Sequence, residues 1–260
     1  MFIPLYDGKP VEHISLHWAT LGLIALNVAV FLFSLLFPPL PGQLGALTLG
    51  FGYVPSVAND LRVLPEEFTY LPEHLYFLTA ISYSFLHADW WHLAGNMLFL
   101  WVFGDNVEDA MGHLKFIAFY LLAAIAAAYF HALMFPESDS PLIGASGAAA
   151  AVVAAYLMLH PKVRVWGLVL GRIPIGLPAI WLLGAWIGFQ IFMFLTDTDS
   201  EVSWAAHIGG IVAGVVLLPL MKRRDVPLFD RDISAPVHSK NETVSEGPKR
   251  SKPWGRGGSN

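Results

Sequence analysis

Apolar positions along this chain gather into long runs, with neither the period-two alternation nor the one-sided stripe of a soluble domain. Six runs stand out, at about 17–37, 90–108, 114–134, 146–160, 175–195 and 204–221. They are apolar on all faces, the pattern of helices surrounded by lipid or by other helices. The breaks between them are sharp. Phe37-Pro38-Pro39 ends the first run, because proline cannot continue a helix. Asp89 stands where an N-cap belongs at the head of the second. The fourth run reaches only about 15 residues before Pro161, short of the ~20 that cross hydrocarbon. A loop with proline and glycine feeds it, so this helix is expected to begin inside protein at membrane depth. The connection 38–75 is acidic and aromatic, too apolar for a plain linker, and is expected to lie partly in the membrane interface.

Composition strengthens this picture. Residues are 55% hydrophobic and 13% charged, about half the charged share of a soluble domain, and mean hydropathy is +0.56. The expected fold class is an all-α polytopic membrane protein of six helices. Residues 1–16 form an N-terminal segment, 17–222 the membrane domain, and 223–260 a disordered tail rich in Pro, Ser, Gly and charge. No cysteine is present, which excludes disulfides and thiolate metal sites. The first run has no clean small-residue cleavage site after it and is expected to stay as a span. Net charge is −5, but its distribution says more. Lys9, Lys115, Lys162, Arg164, Arg172 and the run Lys222-Arg223-Arg224 fall on one alternating set of connections. The other set holds Arg62 alone among acids such as Asp60, Glu66, Glu73, Glu137 and Asp197. The basic side faces the cytoplasm, so both termini are expected there. The expected location is the inner (plasma) membrane, multi-pass.

Chemistry concentrates at one end of three runs. The fourth begins Gly144-Ala145-Ser146-Gly147, the second carries His92 and Asn96, and the sixth carries Ala206-His207-Ile208-Gly209-Gly210. In a six-span chain the second, fourth and sixth are codirectional, so these polar groups share a depth. Polar groups inside a membrane are costly and point to function by default. His92 and Asn96 are four apart and share a helix face. His207, Gly210 and Gly214 form one stripe on the sixth run, and Gly147, Ala150, Ala151 and Ala154 form another on the fourth. Small residues let backbones approach closely in lipid. Packing the two stripes together puts His207 beside Ser146, the nucleophile and base arrangement of acyl transfer. The first N–H groups of a helix lack internal partners, so Ser146 also sits beside donors suited to an oxyanion.

Those three motifs, in this order on six spans, resemble the rhomboid intramembrane serine proteases over about residues 17–222. The resemblance implies a Ser–His dyad without a third acid: Ser146 as nucleophile and His207 as general base, with His92 and Asn96 at the oxyanion hole. It implies transmembrane segments of other proteins as substrates, cut near the outer face, with the fifth span and the loop before the sixth gating entry. No cofactor or metal is implied. Two positions differ from well-studied members. Arg62 follows Leu61 where a Trp-Arg pair is common. Ala150 stands one turn after Ser146, where some members stack a Tyr on the catalytic His, so the sequence names no residue to orient His207.

Plainer readings compete. Ser146 alone reads as a helix cap. His92, Asn96 and His207 alone read as hydrogen-bonding groups that join helices. The tryptophans Trp90, Trp91, Trp101 and Trp204 read as interfacial or lipid-facing. A metal held by His87, His92 and His207 has no H-E-x-x-H motif behind it. Lys222-Arg223-Arg224 reads as an anchor to anionic lipid, not a nucleic-acid site. At the level of function, the alternatives to a protease are a catalytically silent rhomboid-like protein that binds transmembrane segments, and a small transporter. A transport path needs polar groups through the full depth, and here they cluster at one end. Substrate identity and oligomeric state are not encoded in any motif.

Overall fold

The computed structural model describes residues 2–36, 44–169, 172–197 and 202–229. Its long helices are α1 (Trp18–Leu36), α5 (Trp90–Met111), α6 (His113–Met134), α7 (Ser146–Leu159), α8 (Ala179–Thr196) and α9 (Trp204–Met221). Three short ones, α2 (Leu44–Phe51), α3 (Pro55–Ala58) and α4 (Thr79–Ser82), shape the long first connection. Residues 38–43 of that connection lie outside the described residues. The fold is mostly helical, and by length and apolarity α1, α6, α8 and α9 qualify as membrane-crossing helices. The helix α5 is as long as α6 but carries Asp105, Glu108 and Asp109 near its end. With 14 residues, α7 is about 21 Å long. It is buried on all sides from Gly147 to Tyr156, so protein surrounds it in place of lipid. The opposite case is α8, where Trp181, Phe189, Phe192 and Leu195 are exposed.

The all-α expectation needs correcting. Three antiparallel strands, β1 (Phe2–Asp7), β2 (Arg164–Val169) and β3 (Ile173–Pro178), form a sheet in the order β1-β2-β3. The basic connection after α7 is the middle strand, and the residues before Ala179 are a strand, not the start of a span. The signal is period-two: Val165 and Gly167 are buried while Arg164 and Trp166 face out. Pro4, Pro174 and Pro178 sit on the two edge strands, where a missing N–H does no harm. Gly176 pairs with Trp166, and a Cβ there would come within 2.8 Å of the indole, so the glycine makes room for the ring.

Buried acids tie the ends of the bundle together. Glu108, fully buried, accepts from the Ala19 and Thr20 N–H groups at 3.0 and 2.7 Å and from Thr20 Oγ1 at 2.6 Å. It therefore caps α1 from another helix, where unpaired donors and the helix dipole both favour an anion. Asp109 accepts from the N–H groups of Glu12, His13 and Ile14. Arg223 closes the same corner: its N–H meets the Ala110 carbonyl at 2.7 Å and its Nε the Asp109 carbonyl at 3.2 Å. Phe229 N–H bonds the Met158 carbonyl at 2.7 Å. Residues 223–229, expected to open the tail, are thus packed against the bundle, and 230–260 lie outside the described residues.

Asp7 docks β1. It is buried and accepts from Asn106 Nδ2 at 3.0 Å and Tyr156 OH at 2.6 Å. Burial pushes its carboxyl up to about 7 and Asp105 adds to this, while the Tyr156 hydrogen bond pulls the other way. An acid raised in the folded state loses stability as pH climbs from its unfolded value through its folded one. Amide protection in β1, corrected for intrinsic exchange, should therefore fall from about pH 4 to about pH 7 and level off above. Asp7→Asn should flatten that dependence. A slope unchanged in the variant would assign it to another group.

Candidate active site

The site is built on one close helix crossing. A Cβ at Gly210 would lie 1.9 Å from the Gly147 carbonyl oxygen, and one at Gly214 would lie 2.4 Å from that of Ala151. The two contacts are one turn apart on each helix, so α7 and α9 run in the same direction with their backbones touching. The small-residue stripes read from the sequence are the faces in contact. Gly147 is also closed in by α6, since a Cβ there would meet the Ala127 methyl at 2.6 Å. Ser146 and His207 both stand at the N-terminal head of this crossing.

Ser146 is the first residue of α7 and is half-buried. The N-cap position is Ala145, and no side chain caps the helix. The reading of Ser146 as a side-chain cap therefore fails. Its approach is held by backbone pairing: Leu142 exchanges hydrogen bonds with Tyr53, and Gly144 N–H bonds the Tyr83 carbonyl at 2.9 Å. Gly144 has φ +109°, a conformation that favours glycine.

His92 and Asn96 meet at that glycine. A Cβ at Gly144 would fall 2.5 Å from His92 Nε2 and 3.5 Å from Asn96 Nδ2. Asp89 caps α5 as expected, accepting from the N–H groups of Trp91 and His92 at 2.7 and 2.9 Å. Among the described residues Asn96 Nδ2 is buried with no hydrogen-bond partner. Such orphan donors are rare in native folds and mark places with a reason to wait for an acceptor. His87 packs edge-on to His92 at 5.1 Å between ring centroids. Burial pushes the His87 imidazole down to about 4, with His92 adding to the effect.

His207 is held from α8. Its Nδ1 lies 2.8 Å from Gln190 Oε1, and Trp204 packs edge-on to its ring at 5.7 Å. Ser203 caps α9 through the Ala206 N–H and lies 2.8 Å from His131 Nδ1, which ties the head of α9 to α6. Among the described residues no hydrogen bond joins Ser146 to His207; catalytic contacts are often loose in a free protein and tighten with substrate. The sequence reading missed two neighbours. Trp204 reads from the sequence as interfacial or lipid-facing; in the structure it also bonds Asp197 through Nε1 at 3.1 Å and leans on His207. Gln190 was not singled out, although it is the one amide or charged side chain in α8, a signal that could have found it.

Ser146 and His207 thus stand at the heads of two touching helices, and His92 and Asn96 lie against Gly144, two residues before Ser146. Comparison with known proteins identifies the family. The family description "Rhomboid domain" matches residues 74–224. The chain is similar to Rhomboid protein 1, mitochondrial, of Saccharomyces cerevisiae, 31% identical over 149 residues, 54% of this chain and 40% of that protein. It is similar to RHOMBOID-like protein 12, mitochondrial, of Arabidopsis thaliana, 28% identical over 53% of this chain and 44% of that protein. Matching thus spans less than half the length of those two relatives. Rhomboid protease AarA of Providencia stuartii is 30% identical over 76% of this chain and 70% of its own length.

The close crossing makes a steric prediction. Gly210→Ala can be relieved only by parting α7 and α9, and overpacking of this kind typically costs ~1–3 kcal/mol. Gly188→Ala, in open space on α8, is the control. Thermal unfolding in detergent, followed by tryptophan fluorescence, should show a lower Tm for the first and no loss for the second. Equal midpoints would contradict the contact.

Proposed function

The chain belongs to the rhomboid family, and from that premise we propose that it is an intramembrane serine endopeptidase. Rhomboids act on membrane proteins within the bilayer. In this reading the six long helices all cross the membrane with both termini in the cytoplasm, and substrates are transmembrane segments cut near the outer face. Its place is the inner (plasma) membrane, with an organelle membrane as the competitor that the names of two relatives raise. The observation that carries the proposal is the Gly147–Gly210 crossing, with Ser146 and His207 at its head.

Ser146 Oγ attacks the scissile carbonyl carbon as its proton passes to His207 Nε2. The oxyanion is received by the Ser146 N–H, Asn96 Nδ2 and His92. Asn96 Nδ2 is already desolvated and has no hydrogen-bond partner among the described residues, so it gives up no bond to them when the oxyanion forms. The C–N bond breaks, the amine takes the proton from His207, and an acyl-enzyme remains. Water, deprotonated by His207, attacks the acyl carbon; the C–O bond to Ser146 breaks, Ser146 Oγ takes the proton back from His207, and the acid leaves. Entry runs beside α8, the least buried of the four membrane-crossing candidates.

The absence of a Ser146–His207 hydrogen bond is the feature that favours a second reading, a silent rhomboid-like protein that holds transmembrane segments. Cleavage of a reconstituted transmembrane substrate separates the two. Wild type should cleave and Ser146→Ala should not. Asn96→Ala should retain a residue of activity, down by ~10²–10³ as for the loss of one oxyanion donor. Cleavage by Ser146→Ala would overturn the nucleophile. Binding without cleavage by wild type would establish the silent reading.

A further inference from the structure

The geometry points to Gln190 as the residue that sets the working tautomer of His207, a positioning role supplied from α8. This rests on the protease reading of the site. Gln190 lies among apolar residues of α8 and is 3% exposed, so both ends of its amide need partners inside the protein. Its Nε2 donates to the Trp186 carbonyl, one turn back, at 3.3 Å. A backbone carbonyl can only accept, so the nitrogen faces Trp186 and Oε1 faces away from it. Oε1 is the atom 2.8 Å from His207 Nδ1. An amide oxygen can only accept in turn, so Nδ1 carries the proton.

A neutral imidazole has one N–H. With it on Nδ1, Nε2 holds the free lone pair, and no hydrogen bond among the described residues occupies it. That is the form a general base needs. In a triad a buried carboxylate imposes the tautomer; here a neutral amide does so, without bringing a second charge into the membrane. Trp204 limits ring rotation from one side, and Ala150, with only a methyl, leaves that work to α8 and α9. Because the acceptor stands on α8, the base is held in its working form only while α8 is docked beside α9.

The test uses the full-length protein in detergent with a fluorogenic transmembrane peptide. Gln190→Met keeps length and burial and removes the oxygen acceptor; Gln190→Glu keeps an acceptor. In ¹⁵N-histidine spectra, assigned with His207→Ala, wild type should show His207 with its proton on Nδ1. Gln190→Met should lose that signature and lower kcat ~10–100-fold, the range seen when a metal-bound imidazole loses its outer partner. KM and Tm should stay near wild type, and Gln190→Glu should keep the signature and most of the rate. A Gln190→Met protein with the Nδ1–H signature and full kcat overturns the inference and leaves the protease reading standing. If Gln190 only packs α8, loosening it admits substrate more easily, so an unchanged or raised rate also counts against the proposal. A wild type that does not cleave defeats the protease reading itself. The spectra of wild type and Gln190→Glu then still decide whether Gln190 places the proton, even if Gln190→Met does not fold.

Discussion

Backbone-to-backbone contact between α7 and α9 is the constraint on which the rest of this structure depends. Lipid tails are as apolar as leucine, so hydrophobicity alone does not draw helices together in a bilayer; close packing does. Gly210 on the Gly147 carbonyl and Gly214 on that of Ala151 bring the two axes as near as side chains allow. Alanines of α6, among them Ala123, Ala124, Ala127 and Ala128, fill the remaining side and are fully buried. A helix as short as α7 can then sit in the middle of the protein, its head sunk within the bundle. Ser146 occupies that head, and α9 delivers His207 to the same level.

Several polar groups away from the site are satisfied over long sequence distances: Glu108 caps α1, Asp109 gathers residues 12–14, and Arg223 binds the end of α5. Each fixes one end of a helix that lipid could not fix. Among the described residues Asn96 Nδ2, beside Gly144, is buried without a hydrogen-bond partner, as are Asn27 Oδ1 and Tyr120 OH elsewhere in the bundle. Both ends of the Gln190 amide are used, one on the Trp186 carbonyl and the other facing His207 Nδ1.

Much of this was legible in the chain. Runs of apolar residues located the six long helices to within a few positions, and the offsets among Gly147, Ala151, Gly210 and Gly214 foretold which faces touch. The sheet was not legible by the same rule, because Val165, Gly167, Ile175 and Leu177 are scattered apolar residues when weighed by hydropathy and ordered only when read with period two. Glu108 and Asp109 stand at the end of an apolar run, yet they act on segments about ninety residues away, which composition does not encode. His207 gave no hint of its partner, since a contact between α8 and α9 depends on how two apolar helices rotate. Trp204 misled for a related reason: an aromatic at a helix head reads as a lipid anchor until its neighbour is known.

The most direct measurement is labelling of the detergent-purified protein by a fluorophosphonate, with the modified residue identified by mass spectrometry. The account predicts a single adduct on Ser146, lost in Ser146→Ala and in His207→Ala. A folded wild type that takes no label, or one labelled equally well without His207, would contradict an activated serine at the head of α7.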